Sequence, residues 1–114
     1  MPGWADVREQ GLALPGVVEG PSYGTPALKV AGKLLVRLKE DGETLALWVS
    51  YEERLALVHE QPDVFFVTPH YQNYPMVLVR LASVDLDELR ELVVEAWLDR
   101  APRRLVKTWQ ARAT

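Results

Sequence analysis

The chain has 114 residues, no cysteine and a formal net charge of −3, which predicts one domain with its own core and excludes disulfides, thiolate metal sites and cysteine nucleophiles. No apolar run approaches the length of about 18 residues that a membrane helix needs, and the N-terminus lacks the pattern of a secretory signal. We therefore expect a single domain over residues 1–114, located in the cytoplasm and without a membrane partner.

The charge is unevenly distributed along the chain. Residues 1–99 carry 8 basic and 16 acidic side chains, a net charge of −8, whereas residues 100–114 carry 5 basic side chains and no acidic one. Such an asymmetry is typical of a charged contact surface. The simpler explanation is a C-terminal helix whose last turn favours cations.

The first half of the chain changes from a helical period to a period of two. Apolar residues at helical spacing predict a helix over residues 3–13, ended by Pro15-Gly16. The Gly/Pro-rich run to Pro26 predicts an ordered loop or an irregular edge strand. From Leu28 to Val49, apolar residues alternate with polar ones, which predicts a meander of half-buried antiparallel strands.

Two turns set the register of this meander. Asp41-Gly42 predicts a two-residue type I′ turn, which needs positive φ at both central residues. A two-residue turn at Ala31-Gly32 would scramble the faces of the strands. A three-residue loop that includes Lys33 is predicted instead, so that Val30 lies opposite Leu34.

The second half of the chain begins with a capped helix. Ser50 and Glu53 form a capping-box pattern, and this helix stops at Pro62. Four more elements follow: strands over 64–68 and 76–82, a helix opened by Asp85, and a last helix after Pro102. This order predicts a two-layer α+β domain with an antiparallel sheet of about five or six strands, covered on one face by helices. The predicted core residues are Leu34, Val36, Leu38, Leu45, Leu47, Val49, Val77, Val79, Leu89 and Trp97.

The uncovered face of the sheet is the first candidate site. On the predicted registers it carries Lys29, Leu35, Arg37, Lys39 and Trp48, with Lys33 at the adjoining turn. Cations release counterions from phosphate, and an indole can stack on a base, so this combination suits nucleic acid. In the alternative, Trp48 packs across the strands against Leu35, and the lysines only solvate the face.

The loop over residues 69–75 is the second candidate site, because it places His70 with Tyr71 and Tyr74. A histidine beside a tyrosine could form an acid–base pair or part of a small-molecule pocket. The prolines at both ends favour a structural role, and we expect His70 to help hold this loop. No catalytic residue, metal site or cofactor is predicted, since the known nucleotide, metal-ligand and nucleophile patterns are absent.

Three segments carry a resemblance to a known family. They are Tyr23-Gly-Thr-Pro-Ala-Leu-Lys-Val-Ala-Gly-Lys33, Phe66-Val-Thr-Pro-His-Tyr71 and Pro75-Met-Val-Leu-Val-Arg-Leu81. From about Leu14 onward the chain resembles the MmcQ/YjbR-like family. The resemblance implies a small α/β domain of that fold and the DNA binding proposed for the family. Leu28 and Met76 stand where the family pattern has Phe and Trp.

Three functional hypotheses follow. The first is a binding module with DNA as its partner, whose contacts are Lys29, Lys33, Arg37, Trp48, Arg103, Arg104 and Lys107. The second is a protein-interaction domain or homodimer that uses Trp48 or Trp109 as an apolar anchor. The third is an enzyme, which requires Glu19, Tyr23, Lys29, His70 and Tyr71 to converge on one cleft.

Overall fold

The structure, a computed structural model, describes residues 2–113 of the chain, without the side chain of residue 113. Its helices are α1 (Trp4–Leu12), α2 (Tyr51–Glu60), α3 (Leu86–Arg100) and α4 (Arg103–Ala113), and a short 3-10 helix spans Pro69–Tyr71. Its strands are β1 (Val17–Ser22), β2 (Thr25–Val30), β3 (Lys33–Leu38), β4 (Thr44–Trp48), β5 (Phe65–Phe66) and β6 (Met76–Arg80).

The six strands form one antiparallel sheet in the order β1-β2-β3-β4-β6-β5. The main hydrophobic core lies between this sheet and the helices, so the predicted two-layer α+β fold is confirmed. The opposite side of the sheet, here called the open face, carries a small separate cluster of Ala46, Met76 and Leu78. Because helices fill only one layer, the open face is available to form a site.

Trp97 anchors the helical layer. Its side chain is fully buried, its indole Nε1 donates to the Pro15 carbonyl oxygen at 2.9 Å, and its ring meets Trp109 edge-on. Gly11 of α1 allows close packing on the sheet, since a methyl group there would lie 2.3 Å from Leu28 Cδ1. The first and last helices are thereby fixed to the same core.

The turn between β2 and β3 differs from the prediction. It is a two-residue turn, with Val30 paired to Lys33, and Ala31 and Gly32 both have positive φ, at 50° and 78°. The predicted three-residue loop is therefore wrong. With a regular register, this short turn would place Val36 on the opposite face of the sheet from Leu28. A register shift between Leu28 and Lys29 of β2 instead pairs Leu28 with Val36.

This register shift moves two leucines from their predicted faces. A bulge adds one residue to β3, so Leu35 and Val36 both lie in the core between sheet and helices. Leu34 instead packs half-buried against the open-face cluster. The predicted places of Leu34 and Leu35 are therefore wrong, whereas Val36 is fully buried as predicted.

The rest of the predicted core is mostly confirmed. Leu38 is only partly buried, because it ends its strand beside the exposed Asp41-Gly42 turn. That turn is not type I′, since only its Gly42 has positive φ and the Asp41 carboxylate instead accepts two backbone N–H bonds. The remaining predicted core residues are buried: Leu45, Leu47, Val49, Val77, Val79, Leu89 and Trp97.

Candidate functional site

A recess lies on the open face around Arg37. In the sheet register Arg37 is opposite Ala27 of β2 and Ala46 of β4, so both neighbouring side chains are single methyl groups. The recess has a volume of about 430 Å³, and Leu34 and Met76 complete its apolar lining. It lies within the usual size range of ligand pockets.

Arg37 is a buried cation, with only 4% of its surface exposed. Its Nε donates to the Ser22 carbonyl oxygen at 3.3 Å, and its Nη2 forms an ion pair with Glu40 at 2.5 Å. The centroid of the Tyr23 ring lies 5.3 Å from the guanidinium carbon of Arg37. Burying a charge is costly unless it is paired, so this residue needs more explanation than an outward-facing arginine would.

Glu40 is the anionic partner in this recess and is mostly exposed. Its own backbone N–H, and then the hydrogen bond from Arg37, hold its pKa below the ordinary value for glutamate. Lys39 Nζ lies 3.9 Å from the same carboxylate. The three side chains together leave the recess with a net charge of +1.

The hydroxyl of Tyr71 joins the two cations. It accepts hydrogen bonds from Arg37 Nη1 at 3.5 Å and from Lys39 Nζ at 3.3 Å, and the Lys39 ammonium also lies over the Tyr71 ring. His70 and Tyr74 pack against this ring, with centroids 4.9 and 6.5 Å away. The structure thus brings the predicted loop residues together with Arg37, in one recess.

Arg54 of α2 holds this loop, although the sequence did not single it out. Its Nη1 donates to the carbonyl oxygens of Tyr71, Tyr74 and Met76, and its Nη2 donates to that of Gln72. These acceptors are backbone atoms 17 to 22 residues away in the chain, so no side-chain pattern could reveal them. His70 itself is exposed and contributes ring contacts, and its expected role in holding the loop stays a prediction.

Trp48 is not a free aromatic side chain on the open face, contrary to the prediction. It lies half-buried at the end of β4, where its Nε1 donates to Asp99 at 2.6 Å and the Arg100 guanidinium lies 3.5 Å from its ring centroid. Burial lowers the pKa of Arg100, against the opposing effect of Asp99. The ring is covered because α3 ends beside the last residue of β4.

The other predicted phosphate contacts lie in two places. Lys29 is on the open face, since its cross-strand partner Leu34 packs there. Lys33 is exposed at the β2–β3 turn. Arg103, Arg104 and Lys107 are exposed on α4, in the helical layer. Of these predicted contacts, Arg37 alone forms an ion pair within residues 2–113.

Helix α4 packs beside the end of the sheet that carries Lys33. A methyl group at Gly16 would lie 2.6 Å from Leu105 Cδ1 of α4 and 3.6 Å from Val30 Cγ2, the cross-strand partner of Lys33. We call the exposed cations at this end of the molecule the basic surface: Lys33, Arg103, Arg104 and Lys107.

The first turn of α4 differs from that of the other helices. The first turn of α1 contains one acidic residue, and the first turns of α2 and α3 contain two each. Helix α4 instead begins with Arg103 and Arg104 and has no acidic residue in its first turn. The N-terminus of a helix carries the positive end of its dipole, so these arginines lie where cations are unfavourable. Stability of the helix does not explain their position.

The five residues of the enzyme hypothesis do not all converge. Tyr23, His70 and Tyr71 line the recess. Glu19 is held instead by α1, where it accepts hydrogen bonds from the Trp4 indole at 3.1 Å and from Arg8 at 2.6 Å. These bonds, that from Arg8 foremost, lower the pKa of Glu19.

The part of the chain that the structure describes lacks both a metal-ligand cluster and a membrane-spanning helix. No group of three or more metal-ligating side chains comes together there. No helix in the same residues has the length and apolar character needed to cross a membrane.

Comparison with known proteins assigns a family and a fold. The model of the YjbR family matches residues 12–98. Uncharacterised proteins of Mycobacterium tuberculosis (Rv2570) and Mycobacterium bovis (Mb2600) are 44% identical over 73 residues, which is 63% of this chain and 57% of theirs. The chain therefore aligns with little more than half of those relatives.

A solved structure shares the fold. The crystal structure of Deinococcus radiodurans protein DR2400, a DUF419 domain, matches with a TM-score of 0.74 and 23% sequence identity, over 86% of this chain and 78% of that one. At this identity the match concerns the architecture alone.

Proposed function

We propose, from the premise that this chain belongs to the YjbR family, that it is a small cytoplasmic module that binds DNA and does not catalyse a reaction. The single observation that carries this proposal is the pair Arg103 and Arg104 at the start of α4. Cations at this position cost the helix about 0.3–1 kcal/mol each at low ionic strength. A bound phosphate at the same place would reverse that cost, since helix N-termini and arginines both attract anions.

The proposed contacts are the four cations of the basic surface. They are exposed, and none of them forms an ion pair within the part of the chain that the structure describes. Arg37 is left out because it is buried in the recess of the open face, and Trp48 because Arg100 covers its ring. Lys29 lies on the other face of the sheet. Without an aromatic side chain to stack on bases, the surface suits the phosphates of duplex DNA.

Fluorescence anisotropy with labelled duplex and single-stranded DNA tests the proposal. The wild-type chain should bind duplex with a micromolar Kd at low salt, at least as tightly as single strands. A variant with Arg103, Arg104 and Lys107 all changed to Gln should lose binding at the same concentrations. Arg90→Gln is the control, because Arg90 is an exposed cation on α3 among acidic neighbours. If neither form of DNA binds at micromolar protein in low salt, the proposal is wrong.

A second candidate function, protein interaction, is favoured by the surface of α2. Two large apolar side chains of this helix face solvent, since Leu55 is 74% exposed and Tyr51 49%. Both line a shallow cavity of about 510 Å³ with Val58 and Val67. Trp48 and Trp109, the predicted anchors, pack instead within their own chain. Sedimentation velocity across a range of concentrations would reveal a homodimer, which Leu55→Lys should then dissociate.

A further inference from the structure

We propose that the recess around Arg37 binds a small aromatic carboxylate, and that this site is separate from the basic surface. The two sites lie on different faces: the recess is on the open face of the sheet, whereas α4 belongs to the helical layer. Binding in one does not require binding in the other.

The guanidinium of Arg37 supplies the anion-recognising group. It has five N–H donors, and three of them are used: Nε by Ser22, one of Nη1 by Tyr71 and one of Nη2 by Glu40. Two donors remain, one on each terminal nitrogen. A carboxylate is the planar anion whose two oxygens can accept from both terminal nitrogens of a guanidinium.

The charge of the recess selects a monoanion. Arg37 and Lys39 contribute two positive charges and Glu40 one negative charge, so a single carboxylate brings the sum to zero. A phosphate monoester, which carries about two negative charges at neutral pH, would leave an excess negative charge beside Glu40.

The walls of the recess select an aromatic body. Tyr23, Tyr71 and Tyr74 provide ring faces and edges, and Ala46 and Met76 provide apolar surface. Tyr23 is 87% exposed at the turn between β1 and β2, so its ring is accessible to a ligand. A ligand ring against these tyrosines would gain the offset or edge-on contacts that aromatic pairs prefer.

The hydroxyl of Tyr71 completes the polar side of the site. Its oxygen already accepts from Arg37 and Lys39, so its own hydrogen is free to be donated to a ligand oxygen. The loop that carries Tyr71 is fixed by the four hydrogen bonds of Arg54. The polar groups are therefore in position before a ligand arrives.

NMR titration of the full chain with benzoate tests this inference. Benzoate should give saturable shifts of the Arg37 side-chain Nε–H and of the Ala46 and Tyr71 amides, with a Kd on the order of 1 mM for so small a ligand. Benzamide has the same ring without the charge and should bind at least about tenfold more weakly. Inorganic phosphate should also bind more weakly than benzoate.

Two lysines of the open face offer a matched pair of variants. Lys39→Gln removes a cation of the recess and should weaken benzoate binding at least about fivefold. Lys29→Gln makes the same chemical change on the same face outside the recess, and should leave the Kd within about twofold. Both positions are near the surface, so the fold should persist, which the spectra themselves would show.

Several results would overturn the inference. They are shifts that do not saturate, equal binding of benzamide and benzoate, preferential binding of phosphate, or an unchanged Kd in Lys39→Gln. None of them bears on the DNA proposal, because the recess lies on the open face and α4 in the helical layer. Arg103→Gln alters the basic surface alone. That variant should bind benzoate as the wild type does.

Discussion

A single arginine, Arg54, fixes the position of the loop over residues 69–75. Arg54 donates to four backbone carbonyl oxygens of residues 71–76, and Tyr51 of the same helix donates to a fifth, at Asn73. Buried or half-buried carbonyl groups that lose their donors are expensive. The shape of the recess therefore depends on a residue outside it.

Replacing this arginine should destabilise the protein. We expect Arg54→Ala to lower the free energy of unfolding by about 2–3 kcal/mol, because hydrogen bonds from a charged donor are stronger than neutral ones. Urea denaturation measures this change. Arg90→Ala, at an exposed position, should stay within about 0.5 kcal/mol of the wild type. Equal effects of the two variants would show that the loop does not need Arg54.

Residue-scale signals in the sequence were informative when both partners were close in the chain. Ser50 and Asp85 were recognised as helix starts, and each accepts from the backbone N–H three residues later. Arg54 was missed because its acceptors are backbone atoms of another element. Arg37 was placed on the correct face, but its burial depends on two alanines in neighbouring strands.

At the scale of elements, the alternation of apolar residues predicted the strands but not the bulge between them. An alternating pattern fixes which residues share a face only while the register is regular. In β3, Leu34 and Leu35 are both apolar, so the sequence itself does not show which of them is the inserted residue. The structure resolves this by combining a tight turn with a register shift.

The turn at Ala31-Gly32 provides a test of this arrangement. Ala31 has φ +50°, a conformation that costs an alanine roughly 1 kcal/mol and that asparagine tolerates better. Ala31→Asn should therefore raise the free energy of unfolding by about 0.5–1 kcal/mol. Chemical denaturation would measure it. In a three-residue loop with Lys33 in the left-handed conformation, Lys33→Asn would stabilise the protein instead.

Arg103 of α4 is expected to lower the stability of the protein while it contributes to DNA binding. Arg103→Glu replaces an unfavourable charge at the positive end of the helix dipole by a favourable one and should raise stability by up to about 2 kcal/mol, while it abolishes DNA binding. Arg112→Glu is the control: it removes a cation from the last turn and should lower stability. Thermal unfolding and anisotropy on the same samples give both quantities. A destabilised Arg103→Glu variant would mean that the arginine has a structural role.

At the scale of the whole molecule, the fold was predictable and the sites only in part. Composition, alternation and turn residues together specified two layers and an antiparallel sheet. The sequence could not show that α3 ends against Trp48, or that the predicted cations separate onto two faces. Both depend on how the helical layer lies across the sheet, which is a matter of packing between residues distant in the chain.

The salt dependence of DNA affinity tests the central proposal most directly. Four phosphate contacts predict that log Kobs falls with log salt at a slope of about −3 to −4, and that Arg104→Gln reduces this slope by about one unit at every duplex sequence. Arg90→Gln should leave the slope unchanged. A slope near zero, or the same slope for the wild type and Arg104→Gln, would contradict the proposal that the basic surface binds DNA.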